Sequence, residues 1–139
     1  MIKNLLIIDD DLLTQKMLTM TINKYIFAQN IRTMSNGKEG VDYFKELANR
    51  KCLDVPDLVF LDINMPVMNG WEFLEEFTER YECLFPSVKI CVLTSSVDSA
   101  DSEKALSYPS VLMFISKPIR VEEINKLKSH EELKYFFAI

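Results

Sequence analysis

Glycine, histidine and cysteine are all scarce in this chain, at three, one and three of 139 residues. With only Gly37, Gly40 and Gly70 available, neither G-x-G-x-x-G nor G-x-x-x-x-G-K-[ST] can be written, which excludes both standard glycine-rich nucleotide cradles. Any phosphate chemistry must use another device. A single histidine, His130, argues against histidine-based metal centres and Ser-His-Asp triads. Cys52, Cys83 and Cys91 form no C-x-x-C pair. The sequence therefore predicts reduced thiols, with Cys91 in an apolar strand, and neither a disulfide framework nor a zinc site. Long hydrophobic runs are missing as well. Leu5-Leu6-Ile7-Ile8 is halted by Asp9-Asp10-Asp11, too soon for a signal-peptide core or a membrane helix, so a cytoplasmic protein is expected. Positive charge is in deficit, with a net charge of −5, which suits neither nucleic acid nor an anionic membrane.

What is present reads as one globular domain, 48% hydrophobic and 27% charged. Four apolar runs stand out: Leu5-Leu6-Ile7-Ile8, Leu58-Val59-Phe60-Leu61, Ile90-Cys91-Val92-Leu93 and Val111-Leu112-Met113-Phe114-Ile115. Continuous rather than alternating apolarity predicts strands covered on both faces, hence a parallel sheet between helices. A more polar fifth run, Ile31-Arg32-Thr33-Met34, suits an edge strand.

Helical spacing links the runs. Met17, Leu18, Thr21, Ile22, Tyr25 and Ile26 form one set, and Val41, Phe44, Leu47 and Ala48 a second. Residues 70–81 carry Leu74, Phe77 and Tyr81 on one stripe. Residues 98–107 form the weakest helix, anchored by Ala105 and Leu106. The last helix, with Val121, Ile124 and Leu127, follows Lys117-Pro118, where proline can open a helix. Five βα units with right-handed crossovers give an α/β, doubly wound parallel sheet.

The strand runs end in polar side chains: Asp9-Asp10-Asp11, Asp62, Thr94-Ser95-Ser96 and Ser116-Lys117. The carboxyl edge of an open parallel sheet forms the ligand crevice, so Asp9, Asp10, Asp62, Thr94 and Lys117 should converge. Clustered carboxylates repel, and burial adds to the cost. Lys117 offsets one charge, and a hard divalent cation with oxygen ligands, Mg²⁺ or Mn²⁺, would offset more. A carboxylate beside a cation, an ammonium and a hydroxyl has the parts of a phosphoryl-acceptor site. Asp11 reads separately as the N-cap of the first helix.

These motifs, with Asp62-Ile63-Asn64-Met65-Pro66-Val67-Met68-Asn69-Gly70 the most specific, resemble a response-regulator receiver domain over residues 2–128. The resemblance implies a flavodoxin-like five-stranded sheet of order 2-1-3-4-5 with five helices. It makes Asp62 the acceptor of a phosphoryl group from a sensor histidine kinase or a histidine phosphotransfer protein. Asp10, Asp62, the backbone carbonyl of Asn64 and, partly through water, Asp9 would hold the metal. Lys117 and Thr94 would bind the phosphoryl group. Thr94 and Phe114 would form the switch that alters the face of the fourth helix, fifth strand and fifth helix. Met65, Pro66 and Gly70 would shape the site, while the Asn64 side chain and Ser96 occupy positions that tune dephosphorylation. Such a protein catalyses only its own phosphorylation and dephosphorylation.

Residues 129–139 are expected as a helical tail of the same domain, started by a capping box at Ser129 and Glu132. Its Tyr135-Phe136-Phe137 group either folds back or meets a partner or second copy, so the expected state is a monomer or weak dimer. The reading is a stand-alone receiver with an unidentified protein target. The alternatives are a phosphorelay intermediate and a haloacid-dehalogenase-type phosphohydrolase, whose D-x-D-x-[TV] motif Asp9-Asp10-Asp11-Leu12-Leu13 does not match. A flavodoxin-type electron carrier is disfavoured because three aspartates would repel a flavin phosphate.

Overall fold

A computed structural model describes residues 1–50, 54–95 and 98–138. The strands are β1 (Ile2–Ile8), β2 (Ala28–Met34), β3 (Leu58–Leu61), β4 (Lys89–Thr94) and β5 (Val111–Ser116). All are parallel and ordered β2-β1-β3-β4-β5. The helices are α1 (Leu12–Lys24), α2 (Gly37–Asn49), α3 (Gly70–Glu76), α4 (Ser99–Leu106) and α5 (Val121–Ser129). A π-helical turn (Phe77–Tyr81) extends α3, and a 3₁₀ turn (Lys134–Phe137) follows α5.

The pleat of β1 divides the core. Leu6 and Ile8 face α2, α3 and α4 together with Phe44, Phe73 and Phe77, whereas Leu5 and Ile7 face α1 and α5 with Ile22, Ile124 and Leu127. Phe44 touches the rings of Phe73, Phe77, Tyr81 and Phe85, making it the hub of the first layer. As read from sequence, β2 is a sheet edge, though it starts three residues earlier, at Ala28. Its first residues, Ala28-Gln29-Asn30, are recruited by pairing with β1 rather than by their own hydrophobicity. β5 is the other edge, so Leu112, Met113 and Phe114 are only partly buried despite their apolar run.

Several helix expectations are corrected. Met17 and Ile26 are exposed, and Ile26 leaves α1 with a φ of 51°. Ala48 also faces solvent. Leu106 is exposed rather than an anchor, because it is turned about 100° from the buried Ala105. Pro118 does not open α5. The Lys117–Pro118 peptide is cis, Ile119 dips into the core, and the helix begins at Val121 after an extended Arg120. The capping box at Ser129 does not form, because Ser129 closes α5 and its hydroxyl donates back to the Lys126 carbonyl. His130 Nδ1 instead accepts from the Glu132 amide.

The tail folds back. Leu133 is buried, the Phe137 ring lies 5.3 Å from Phe27, and the N-terminal ammonium donates to the Phe136 carbonyl. Tyr135 remains exposed and stacks on Phe136. Cys91 is buried in β4, where desolvation pushes its thiol well above the ordinary range. Cys83 is exposed and unbridged, and Cys52 lies outside the described residues.

α3 and α4 are tied by side chains. Lys104 of α4 sits 4.2 Å over the Trp71 ring, and the Tyr108 hydroxyl donates to Glu75. Just before β5, the Ser110 hydroxyl donates to Glu82.

Candidate functional site

The carboxyl ends of β1 and β3 lie side by side because Ile8 pairs with Leu61. That register brings their following residues together, and the Asp62 amide donates to the Ile8 carbonyl. Carboxylate oxygens of Asp9, Asp10 and Asp62 lie within 4.8 Å of one another. Lys117, at the end of β5, reaches Asp9 Oδ2 at 2.6 Å and Asp62 Oδ2 at 3.5 Å.

Burial is uneven. Asp9 and Asp62 are buried, whereas Asp10 is exposed. Desolvation holds the Asp62 carboxyl above its usual range, partly opposed by the Lys117 ammonium, and the Asp9 carboxylate pushes it further up. Backbone N–H groups of Ile63 and Asn64 favour the ionised form, and the Ile63 amide donates to Asp62 Oδ1 at 2.8 Å. That bond orients the carboxylate with Oδ2 toward Lys117.

Asp9 is held at every polar atom. Its amide donates to Met34, its carbonyl accepts from Gln15, Oδ1 accepts from the Asp11 amide and Oδ2 takes Lys117. Asp11 turns away and caps α1, accepting from the Leu13 amide and the Thr14 hydroxyl, and these bonds lower its pKa.

The loop after Asp62 is anchored at both ends. Met65 enters the core. Gly70 donates to the Ile63 carbonyl at 2.9 Å and opens α3, which Asn69 and Glu72 cap reciprocally. A Cβ on Gly70 would strike the Asp62 carbonyl oxygen and the Ile63 Cα. Between these anchors, exposed Val67 takes a φ of 68°, and Pro66 is exposed beside it.

Thr94 is fully buried at the carboxyl end of β4, where its carbonyl accepts from the Lys117 amide at 2.7 Å. Phe114 pairs with Val92 across β4 and β5 and packs against the layer containing Ala105 of α4. Asn64 is exposed next to Asp62, and Ser96 lies outside the described residues. Two contributors escaped the sequence reading. Gln15 could have been found as a polar residue on the stripe of Leu18 and Ile22, and Val67 as a β-branched residue inside a turn motif.

The donor set is chemically suited to a divalent cation: three carboxylates, hard oxygen ligands, one of them open to solvent. Among the described residues, no helix is long and apolar enough to cross a membrane.

Comparison with known proteins identifies the family and the fold. The family model described as response regulator receiver domain matches residues 5–128. The chain is 32% identical over 129 residues to the chemotaxis protein CheY of Thermotoga maritima, covering 90% of this chain and 97% of that protein. It is 30% identical over 129 residues to the "Probable C4-dicarboxylate response regulator DctR" of Halalkalibacterium halodurans, covering 92% of this chain but 51% of the relative. It thus spans about half of that protein. A two component response regulator from Cytophaga hutchinsonii superposes with a TM-score of 0.81 at 29% identity, over 90% of this chain and 92% of that one. The chain belongs to the response regulator receiver domain family and is a CheY-like signalling domain of two-component systems.

Proposed function

We propose that Asp62 accepts a phosphoryl group from a phosphohistidine on a sensor histidine kinase or a histidine phosphotransfer protein. The observation that carries this reading is Lys117 bridging Asp9 and Asp62 beside three carboxylates. An Asp62 oxygen attacks phosphorus, the phosphorus–nitrogen bond breaks, and the imidazole leaves with the nitrogen electron pair. The product is an acyl phosphate on Asp62.

Asp10, Asp62, the Asn64 carbonyl and, partly through water, Asp9 would hold Mg²⁺ or Mn²⁺. When bound, the cation would neutralise carboxylate charge and polarise the phosphoryl group. Lys117 exchanges a carboxylate partner for a phosphoryl oxygen. The Thr94 hydroxyl is drawn toward the new acceptor oxygens, and Phe114 repacks into the space that Thr94 vacates. Because Phe114 lies against the α4 layer, its repacking changes the face of α4, β5 and α5 offered to a protein target. The exposed apolar side chains around the acidic pocket, Leu12, Leu13, Met17 and Val67, support approach of a protein donor from that side. The domain acts in the cytoplasm as a phosphorylation-switched effector module.

The test is incubation of wild type and Asp62→Asn with a small acyl phosphate and Mg²⁺, read by intact-protein mass. Gain of one phosphoryl group by wild type alone is expected. Equal labelling of both proteins, or of neither, overturns the assignment. Transfer of the label onward to a histidine protein would replace the effector role with a relay role.

A further inference from the structure

Gln15 is a polar residue where a helix core face calls for an apolar one. It lies on the same stripe as Leu18 and Ile22, and all three are buried. A buried carboxamide is costly unless its hydrogen bonds are satisfied. Here its Nε2 donates to the Asp9 carbonyl at 2.6 Å and to the Met34 carbonyl at 3.2 Å. The Asp9 carbonyl lies just past the end of β1, and the Met34 carbonyl, at the end of β2, also accepts from the Asp9 amide. A side chain on the first turn of a helix points back toward the helix start, which is what this reach requires.

The consequence falls on Asp9. Its amide is tied to Met34 and its carbonyl to Gln15, which itself bonds Met34. The peptide units flanking the Asp9 side chain are therefore clamped between β2 and α1. The carboxylate they carry is the one that meets Lys117 at 2.6 Å and shares the acidic cluster with Asp10 and Asp62.

We infer that Gln15 is a positioning residue: by fixing the Asp9 backbone to β2 and α1, it sets the spacing of the carboxylates that hold the divalent cation. The inference rests on the proposed reading of that cluster as a cation site. Groups that orient metal ligands without touching the metal change affinity by about 10- to 100-fold when removed.

The experiment is titration of the full chain with Mg²⁺ alone, by calorimetry, for wild type, Gln15→Met and Ile22→Val. Met keeps the length and volume of Gln but has no N–H to donate. Ile22→Val trims the same helix at a fully buried position about 10 Å further along. Expected is a dissociation constant about 10-fold weaker for Gln15→Met and unchanged for Ile22→Val. Wild-type affinity in Gln15→Met overturns the inference. So does weakening of both variants in proportion to their lost melting temperature, since general loosening of α1 would then explain it. If Gln15→Met does not fold, Gln15→Asn takes its place, too short to span both carbonyls, with the same expected direction. Absence of Mg²⁺ binding by wild type overturns the cation site itself, and with it this inference.

Discussion

Val67 is a β-branched residue held at a φ of 68° with 75% of its surface exposed. Its neighbours impose this conformation. Met65 is anchored in the core, and the Met68 carbonyl accepts from the Gly37 amide at 2.9 Å. Left-handed backbone costs an L-residue roughly 1–2 kcal/mol. Glycine removes that strain but adds about 0.5–1 kcal/mol of unfolded-state entropy. Because the side chain buries little, almost no packing is lost. At the middle of both ranges, Val67→Gly should therefore stabilise the domain by about 0.75 kcal/mol. Unfolding entropy of about 2.1 cal/mol/K per residue gives roughly 0.3 kcal/mol/K for this chain. The expected rise in Tm is then about 2–3 °C. Differential scanning calorimetry in chelator reads it, with Val67→Ala as the control that keeps the Cβ and most of the strain. A Tm for Val67→Gly at or below wild type would refute the strain argument.

Two further outcomes follow from the site. The raised pKa of Asp62 means that the native carboxyl retains its proton where the unfolded chain, at 3.8, has lost it. Ionisation therefore subtracts stability as pH rises from the unfolded value through the folded one. In chelator, Asp62→Asn should be more stable than wild type at neutral pH, the gap closing as pH falls toward 3.8. Urea melts across that range check this, and a less stable Asn variant at neutral pH contradicts it. Gly70→Ala drives a Cβ into Asp62 and Ile63 backbone atoms, and should cost about 1–3 kcal/mol. A wild-type melting curve by circular dichroism would show that the loop yields and that Gly70 does not shape the site.

The parts legible in the sequence were those where a local pattern and the global fold ask for the same residue. Leu58-Val59-Phe60-Leu61 is apolar without interruption because β3 is covered on both faces, and the observed strand has those bounds. The acids and the lysine were visible because each follows such a run, and strand register brings them to one edge. What escaped depends on tertiary partners. The first residues of β2 carry no strand signal, because pairing with β1 makes them a strand. Ile119 looks like the start of a helix until its burial shows that the chain must dip inward first. Ser129 has the right spacing to cap, but its hydroxyl is already bonded within α5. Gln15 shares a stripe with Leu18 and Ile22, but only the strand-end carbonyls beneath it explain why a carboxamide is buried there.

The contact between Lys104 and Trp71 has an optical consequence. Trp71 is the chain's single tryptophan. It belongs to α3, yet the charge 4.2 Å above its ring belongs to α4. An ammonium over an indole shifts its emission, and that attraction fades within a few ångströms. Any displacement of α4 relative to α3 therefore changes the colour and intensity of the fluorescence without a label. The domain carries its own dye where α3, which follows the Asp62 loop, meets α4.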